Sequence, residues 1–357
     1  MQRIDKLREV LLRKRLDGLL VTSPVNNNYL SSFTGSTAAI LLTQKNALFV
    51  TDSRYTEQAK KELSGGFELK EIKSSKEYYQ SFLELVKKDG IKTLGVEAKQ
   101  MTISQYEVLK KYLSKVKISF EPSLIESLRE TKDDEEINKI RKAVEIAETA
   151  FKRTLKKLKP DILEIELAAE LEYNMRLEGS ERQAFSTIIA SGERGAMPHG
   201  LASRKRINKG ELIVMDFGAV YKGYCSDLTR TVGLGIINGQ KRKHYKVVYE
   251  AQQKAVSTIK SGVNLSVPDK KARNYLKNNG MDKYFTHGLG HGIGLNVHEN
   301  PSIGSRIKGI FKAGMVVTVE PGVYYSGEYG IRIENDVIVN EKGCEILGAD
   351  QRRLVVL

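Results

Sequence analysis

The 357-residue chain has no tryptophan, only two cysteines and seven prolines, and five histidines. Each scarcity excludes something. Cys225 and Cys344 cannot build a disulfide framework and offer no CxxC or zinc-finger spacing, so they fit a reducing compartment. No apolar run reaches the roughly 18 residues of a membrane span. At the N-terminus Ile4, Leu7, Leu11 and Leu12 recur at helical intervals among charges, where a secretory signal needs an unbroken apolar core. A cytoplasmic protein with no membrane partner is expected. The net charge of +14 raises nucleic acid as a partner, yet the basic residues are spread among glutamates and the densest run, Ser203 to Lys209, is short. A solvated surface is the better reading, and nucleic acid is not an expected partner.

What is present is an α/β rhythm followed by a change of pattern. From Gly18 the β-like runs GLLVT, AAILLT, ALFVT, ELKEI, TLGVE and VKISF alternate with helical stretches near Tyr55 to Leu63, Glu77 to Lys88 and Ser104 to Leu113. Pro122 and the charged stretch Leu128 to Glu136 mark a boundary, giving an α/β domain over residues 1–125 and a second domain over 126–357. A helix start is expected at Thr131 with Asp134 three residues on. Two helices, about Asp133 to Leu158 and Ile165 to Leu177, then precede the runs STIIA, ELIVMDF and YCSDLTRTVGL. A second helix pair, about Lys241 to Lys260 and Pro268 to Lys277, precedes MVVTVE, GVYY and IRIENDVIV.

That order suggests two similar halves. Laying Gly210–Tyr221 over Gly314–Tyr324 puts a glycine six residues before a carboxylate in each and a second glycine two places after it, so Asp216 corresponds to Glu320. Each half has a further acid on a β-like run, Asp227 and Glu334. Strands this apolar read as buried, where an ionised carboxylate costs several kcal/mol unless it is paired or bound to a metal. Neither acid's own strand supplies a lysine or arginine. In IRIEN, alternation puts Arg332 beside Glu334 on one face, where it can hold a ligating carboxylate.

The stretch His287–Glu299, HGLGHGIGLNVHE, holds three of the five histidines, and its glycines at 288, 290, 292 and 294 argue for a loop or extended turn rather than a helix. Four carboxylates and one imidazole make an oxygen-rich site that balances two divalent ions. Ligand hardness favours Mn²⁺ or Co²⁺, with Fe²⁺ and Zn²⁺ further candidates. Such a pair activates water for hydrolysis, and the remaining histidines are then candidates for proton transfer or oxyanion stabilisation.

The segments MPHG (197–200), MDFGAVYKGYCSDLTRT (215–231), THGLGHGIGLNVHE (286–299), VEPGVY (319–324) and GIRIEND (330–336) resemble the pita-bread metallopeptidases, in the Xaa-Pro aminopeptidase and Xaa-Pro dipeptidase (prolidase) branch. NNNYLSSFTGS (26–36) and TDSRYTEQA (51–59) resemble the N-terminal domain of the creatinase, aminopeptidase P and prolidase group, which minimal methionine aminopeptidases lack. The resemblance implies an α/β creatinase/prolidase-type domain followed by an α+β pita-bread catalytic domain with pseudo-two-fold halves. It further implies metal ligands at Asp216, Asp227, His291, Glu320 and Glu334, and catalytic roles for His199, His298 and Glu320. His287 falls near the substrate, Arg332 is a second substrate-side candidate, and His244 is expected in solvent. The implied enzyme is a homodimeric exopeptidase that cleaves Xaa-Pro bonds in proline-containing peptides by a metal-activated hydroxide. Prolidases tend to carry an arginine just after the VHE segment, and here Ser302 stands there, with Arg306 the next basic residue. That departure favours an aminopeptidase acting on longer peptides, with a dipeptidase as the alternative. A non-catalytic adaptor would be expected to have lost ligands, and none is missing.

Overall fold

A computed structural model describes residues 2–349 and 351–357. The chain forms two compact units, residues 1–129 and 130–357. In the first, α1 (Gln2–Lys14), β1 (Gly18–Val21), α2 (Pro24–Ser31), β2 (Ala39–Thr43), β3 (Ala47–Asp52), α3 (Thr56–Glu62), β4 (Glu68–Ile72), α4 (Ser75–Asp89), β5 (Thr93–Glu97), α5 (Ile103–Tyr112), β6 (Lys117–Glu121) and α6 (Leu124–Arg129) follow in order. The strands make one sheet in the order β4-β3-β2-β1-β5-β6, with β2 antiparallel to both neighbours and the other pairs parallel. Central strands β1 and β2 are aliphatic and buried throughout, as a sheet covered on both faces requires. Edge strands β4 and β6 have no fully buried position and carry the lysines and glutamates that discourage edge pairing.

Helix α2 escapes the sequence patterns because three consecutive asparagines favour turns over helix. Ser23 caps it, Pro24 occupies its first turn, and the side chains of Asn26 and Asn27 are buried and bonded to Glu97 Oε1 (2.6 Å) and the Ala38 carbonyl (2.9 Å).

The second unit opens with α7 (Asp134–Leu155) and α8 (Glu164–Leu177), packed on each other. Its start corrects the expectation at Thr131: Asp133 is the N-cap, and it exchanges hydrogen bonds with Glu136 in a capping box. Strands β7 (Ile188–Ser191), β8 (Leu212–Phe217), β9 (Val220–Tyr221), β10 (Tyr224–Cys225) and β11 (Leu228–Gly233) follow. Helices α9 (Gly239–Val256) and α10 (Val267–Asn278) then precede β12 (Gly290–Gly292), β13 (Glu299–Ile303), β14 (Val316–Val319), β15 (Gly322–Tyr325), β16 (Tyr329–Arg332), β17 (Asn335–Val339) and β18 (Cys344–Ile346).

The repeat read from the sequence is built as two helix pairs and two antiparallel layers. One layer is β11-β8-β7 with the ribbon β9-β10, and the other is β13-β12-β14-β17-β18 with the ribbon β15-β16. The glycine-rich stretch expected as a loop contains a strand, since β12 bonds to β13 and β14. Its glycines allow that insertion: a Cβ on Gly290 would lie 2.1 Å from the Thr318 carbonyl oxygen. Apolar side chains of α9, α10, β14 and β17, including Val248, Ala251, Leu276, Val317 and Val337, form a continuous core beneath this layer.

Candidate active site and metal centre

Asp216 lies near the end of β8, and Glu320 is the residue after β14. Asp227 and Glu334 immediately precede β11 and β17. Both pairs therefore stand where a central strand gives way to a ribbon, with the strand's apolar residues fixing their depth. His291, in the middle of β12, completes the group: its Nε2 is 3.6 Å from Asp227 Oδ2 and 3.5 Å from Glu320 Oε1. One ligand atom each from Asp227, His291 and Glu334 lies within 4.8 Å of the other two. All five proposed ligands line one cavity of about 580 Å³, together with His199, His287, His298, Tyr324 and Arg332.

Charge in this cluster is unevenly compensated. Arg332 donates from Nη2 to Asp216 Oδ2 (2.6 Å), from Nε to Thr229 Oγ1 (3.0 Å), and from Nη1 to the Tyr324 hydroxyl (2.9 Å) and the Pro198 carbonyl (3.1 Å). Four of the guanidinium's five N–H groups are thus committed to the protein. Glu334 has a single neutral donor, Thr229 Oγ1 at 2.6 Å, and Thr318 Oγ1 is 3.3 Å from Glu320. Among the described residues no lysine or arginine forms a salt bridge with Asp227, Glu320 or Glu334. Burial, and next the neighbouring Glu334 carboxylate, raise Asp227 and Glu320 well above the ordinary carboxylate range. Burial and Asp216 push Glu334 up to about 7. Asp216 is raised too, through burial, against the opposing pull of Arg332.

This set fits divalent cations. Among the described residues Asp227, Glu320 and Glu334 have no arginine or lysine of their own, and Asp216, though paired through Oδ2 with Arg332, keeps an Oδ1 without a hydrogen-bond partner. Burial lowers His291 to about 4, which keeps its imidazole neutral, and its Nδ1 faces the Gly292 carbonyl at 3.0 Å, leaving Nε2 toward the acids. Removing several like charges from water is tolerable when an ion supplies the missing positive charge.

The other histidines differ. His199 and His298 are exposed at the cavity wall, and the His298 ring stands edge-on to His291 at 4.3 Å. His287 is held down at about 4 by burial, and its Nε2 meets the Tyr324 hydroxyl at 2.9 Å, linking it through Tyr324 and Arg332 to Asp216. His244, expected in solvent, is instead half-buried, stacked on Tyr325 at 4.9 Å and bonded to the Tyr329 hydroxyl at 2.9 Å. Three apolar or aromatic residues, Tyr245, Val247 and Val248, follow it on α9 and draw that face toward the core. Thr229 and Tyr324 are cavity-side partners that the sequence reading did not single out. A threonine and a tyrosine in apolar strands carry no signature until their hydroxyls are placed.

Two pseudo-symmetric strand layers meeting at buried carboxylates, preceded in the chain by a separate six-stranded α/β domain, define a pita-bread metallopeptidase with a creatinase-type N-terminal domain. The chain belongs to metallopeptidase family M24: residues 138–341 match that family, and residues 3–131 match the creatinase/prolidase N-terminal domain. It is 36% identical over 356 residues to the Xaa-Pro dipeptidase of Pyrococcus horikoshii, covering 99% of each chain. Among solved structures, an Xaa-Pro dipeptidase from Bacillus anthracis superposes with a TM-score of 0.96 at 39% identity, covering 100% of this chain and 99% of that one. An X-Pro aminopeptidase from Thermotoga maritima superposes with a TM-score of 0.93, also at 39% identity, covering 99% of this chain and 100% of that one. The chain is a metal-dependent peptidase, hence a hydrolase.

Proposed function

We propose that the protein hydrolyses the Xaa-Pro bond of short peptides with a free N-terminus, and that Xaa-Pro dipeptides are its principal substrates. The observation that carries the reading is the convergence of Asp216, Asp227, His291, Glu320 and Glu334 at one cavity with three further histidines. The dipeptide preference draws on the relatives, since the Pyrococcus horikoshii and Bacillus anthracis proteins are both Xaa-Pro dipeptidases.

The bond before proline is a tertiary amide without an N–H, so a protease cannot align it by a strand-like hydrogen bond from that nitrogen. The five ligands would hold two divalent ions, with Mn²⁺ or Co²⁺ favoured, which when bound acidify water and polarise the scissile carbonyl. Glu320, on the cavity surface and without a cation of its own, accepts the proton of the attacking water. His199 and His298 steady the oxyanion and protonate the departing proline nitrogen. His287 binds on the substrate side, and Arg332 holds Asp216 while keeping one N–H for substrate.

A second reading, an aminopeptidase acting on longer Xaa-Pro peptides, is favoured by a specific feature. Among the described residues the only lysine or arginine lining the cavity is Arg332, already committed four times over, and none of them offers a free cation there for a dipeptide's carboxylate. The Thermotoga maritima structure supports the same reading. A cytoplasmic location and a homodimeric state belong to the proposal as well, the first resting on two free cysteines and the second on the family resemblance.

Steady-state hydrolysis of Ala-Pro and Ala-Pro-Ala by wild type and Glu320→Ala, with metal content measured in each, is the test. The expected result is faster turnover of Ala-Pro and, at saturating metal, a loss of about 10³-fold or more in Glu320→Ala, whose metal content also falls because Glu320 is one of the five ligands. Faster turnover of Ala-Pro-Ala would move the assignment to the aminopeptidase. Full activity in Glu320→Ala would remove its catalytic role.

A further inference from the structure

The segment that carries His199 leaves and returns to one buried carboxylate. Glu164, the first residue of α8, is fully buried. Its Oε1 accepts from the backbone N–H (2.8 Å) and hydroxyl (2.9 Å) of Ser191, the last residue of β7. Its Oε2 accepts from the backbone N–H (3.2 Å) and hydroxyl (2.7 Å) of Ser203, and from Arg194. Arg194 in turn donates to the Leu201 carbonyl at 2.7 Å. One side chain therefore grips the segment before His199, after it, and, through Arg194, two residues from it.

We infer that Glu164 is a positioning residue for the Xaa-Pro reaction: by closing the 191–203 segment on itself, it sets where His199 stands in the cavity. The inference rests on the role proposed for His199. Apolar packing cannot set that position, because Met197 and Leu201, the large apolar side chains flanking His199, are 55% and 53% exposed. The remaining anchors are polar or backbone contacts. Arg332 holds the Pro198 carbonyl, and Gly195 lies so close to Gly330 that a Cβ on the latter would fall 1.8 Å from the Gly195 oxygen. These fix the segment on the side of β16, and Glu164 fixes its two ends on the side of α8. Lys205 reinforces the closure by donating to Ser191 Oγ (2.9 Å) and to Glu211 (2.8 Å). A carboxylate suits the place because both of its oxygens accept, and the facing Ser191 and Ser203 groups and Arg194 all donate.

Glu164→Gln keeps the shape but turns one acceptor into a donor facing other donors. The expected result is a kcat for Ala-Pro lowered about 10²-fold, since ångström-scale misplacement of a reacting group costs that much, with KM and metal content little changed. In a His199→Ala background the same substitution is expected to change kcat less than about twofold, because a residue acting through His199 has nothing left to position. Hydrogen exchange gives a readout independent of turnover: amides of 197–201 are expected to exchange at least about tenfold faster in Glu164→Gln while those of β8 do not change. Losses that multiply in the double variant, or exchange at 197–201 equal to wild type, would overturn the inference. Ser203→Ala, which removes one hydroxyl, carries the same three measurements should Glu164→Gln fail to fold. If wild type cleaves neither Ala-Pro nor Ala-Pro-Ala, the proposed function fails, and the exchange measurement alone then decides whether Glu164 holds the segment.

Discussion

The two halves of the catalytic unit share a backbone plan and divide the chemistry unequally. In the first, Asp216 on β8 pairs across the ladder with Thr229 on β11. In the second, Val319 on β14 pairs with Asn335 on β17, so Glu320 and Glu334 face each other at the next step. Thr229 therefore stands at the depth where the other half has Glu334, and Asp227, two residues earlier, stands level with Arg332. Matching the acids by their order in the sequence hides this offset. The first half supplies two carboxylates. The second supplies two carboxylates, the imidazole of His291, and the guanidinium that neutralises the first half's Asp216 at 2.6 Å. A repeated fold has become a site with one acid already compensated and three that wait for a cation.

The largest effect expected from this asymmetry comes from neutralising one acid in each half. Asp216→Asn and Glu334→Gln should both lower metal loading and turnover by more than the roughly 100-fold typical of losing a group outside the ligand sphere. Their effects on the metal-free protein should have opposite signs. Asp216→Asn leaves Arg332 buried without its anion, a loss on the order of 3 kcal/mol. Glu334→Gln removes a like charge from beside Asp227 and Glu320 and should stabilise. Denaturant unfolding in a chelator measures both, and shifts of the same sign would break the comparison.

A smaller effect follows from pH. Asp227, Glu320 and Glu334 titrate higher in the folded metal-free protein than in the unfolded chain, so the folded state holds more protons at neutral pH. Its stability should therefore rise as pH falls from 8 to 6.5. Glu334, at about 7, contributes about 1 kcal/mol over that range, with Asp227 and Glu320 adding to it. The lowered His287 and His291 oppose the trend already as pH approaches 6.5, where each is half protonated in the unfolded chain, and more strongly below it, so within the window the net rise rests on Asp227 and Glu320 as well as Glu334. Thermal unfolding of chelated protein across pH 6.5 to 8 checks the sign, and metal-loaded protein should lack the rise because the ions hold the carboxylates ionised. A flat metal-free profile would mean that the three acids are compensated after all.

Much of this plan was legible in the sequence, for identifiable reasons. Apolar runs marked every strand of the first unit, and the acids stood out because Asp216 stands within, and Glu320 directly after, a run of mostly aliphatic residues. What stayed hidden depends on pairing between distant segments. The glycines at 288 to 294 suppress strand propensity, so β12 became visible only once Val317 and Ser302 lay beside it. Three asparagines concealed α2 for the same reason of weak local preference. The cation for Asp216 lies 116 residues away on β16, and no pattern within either strand could assign it.

The smallest effect probes the offset itself. Thr229 belongs to the first half, yet its hydroxyl donates to Glu334 Oε2 at 2.6 Å and accepts from Arg332 Nε at 3.0 Å, both in the second. Thr229→Val keeps the branched shape, takes a stabilising donor from Glu334 and leaves one N–H of Arg332 unpaired. A buried hydrogen bond lost this way costs about 1–3 kcal/mol, so the apparent metal affinity near neutral pH should fall about tenfold, because Glu334 then holds its proton more tightly against the ion. Turnover at saturating metal should change far less, since no group at the scissile bond is removed. Thr318→Val offers the control within one half. Its hydroxyl accepts from the His291 backbone at 3.1 Å and reaches Glu320 only at 3.3 Å, so its loss should weaken metal binding less. Equal effects from the two threonines would mean that the Thr229 hydroxyl adds nothing to metal binding beyond what an ordinary strand residue does, and that the link between the halves at this point is carried by backbone contacts such as Glu334 N–H to the Thr229 carbonyl at 3.1 Å.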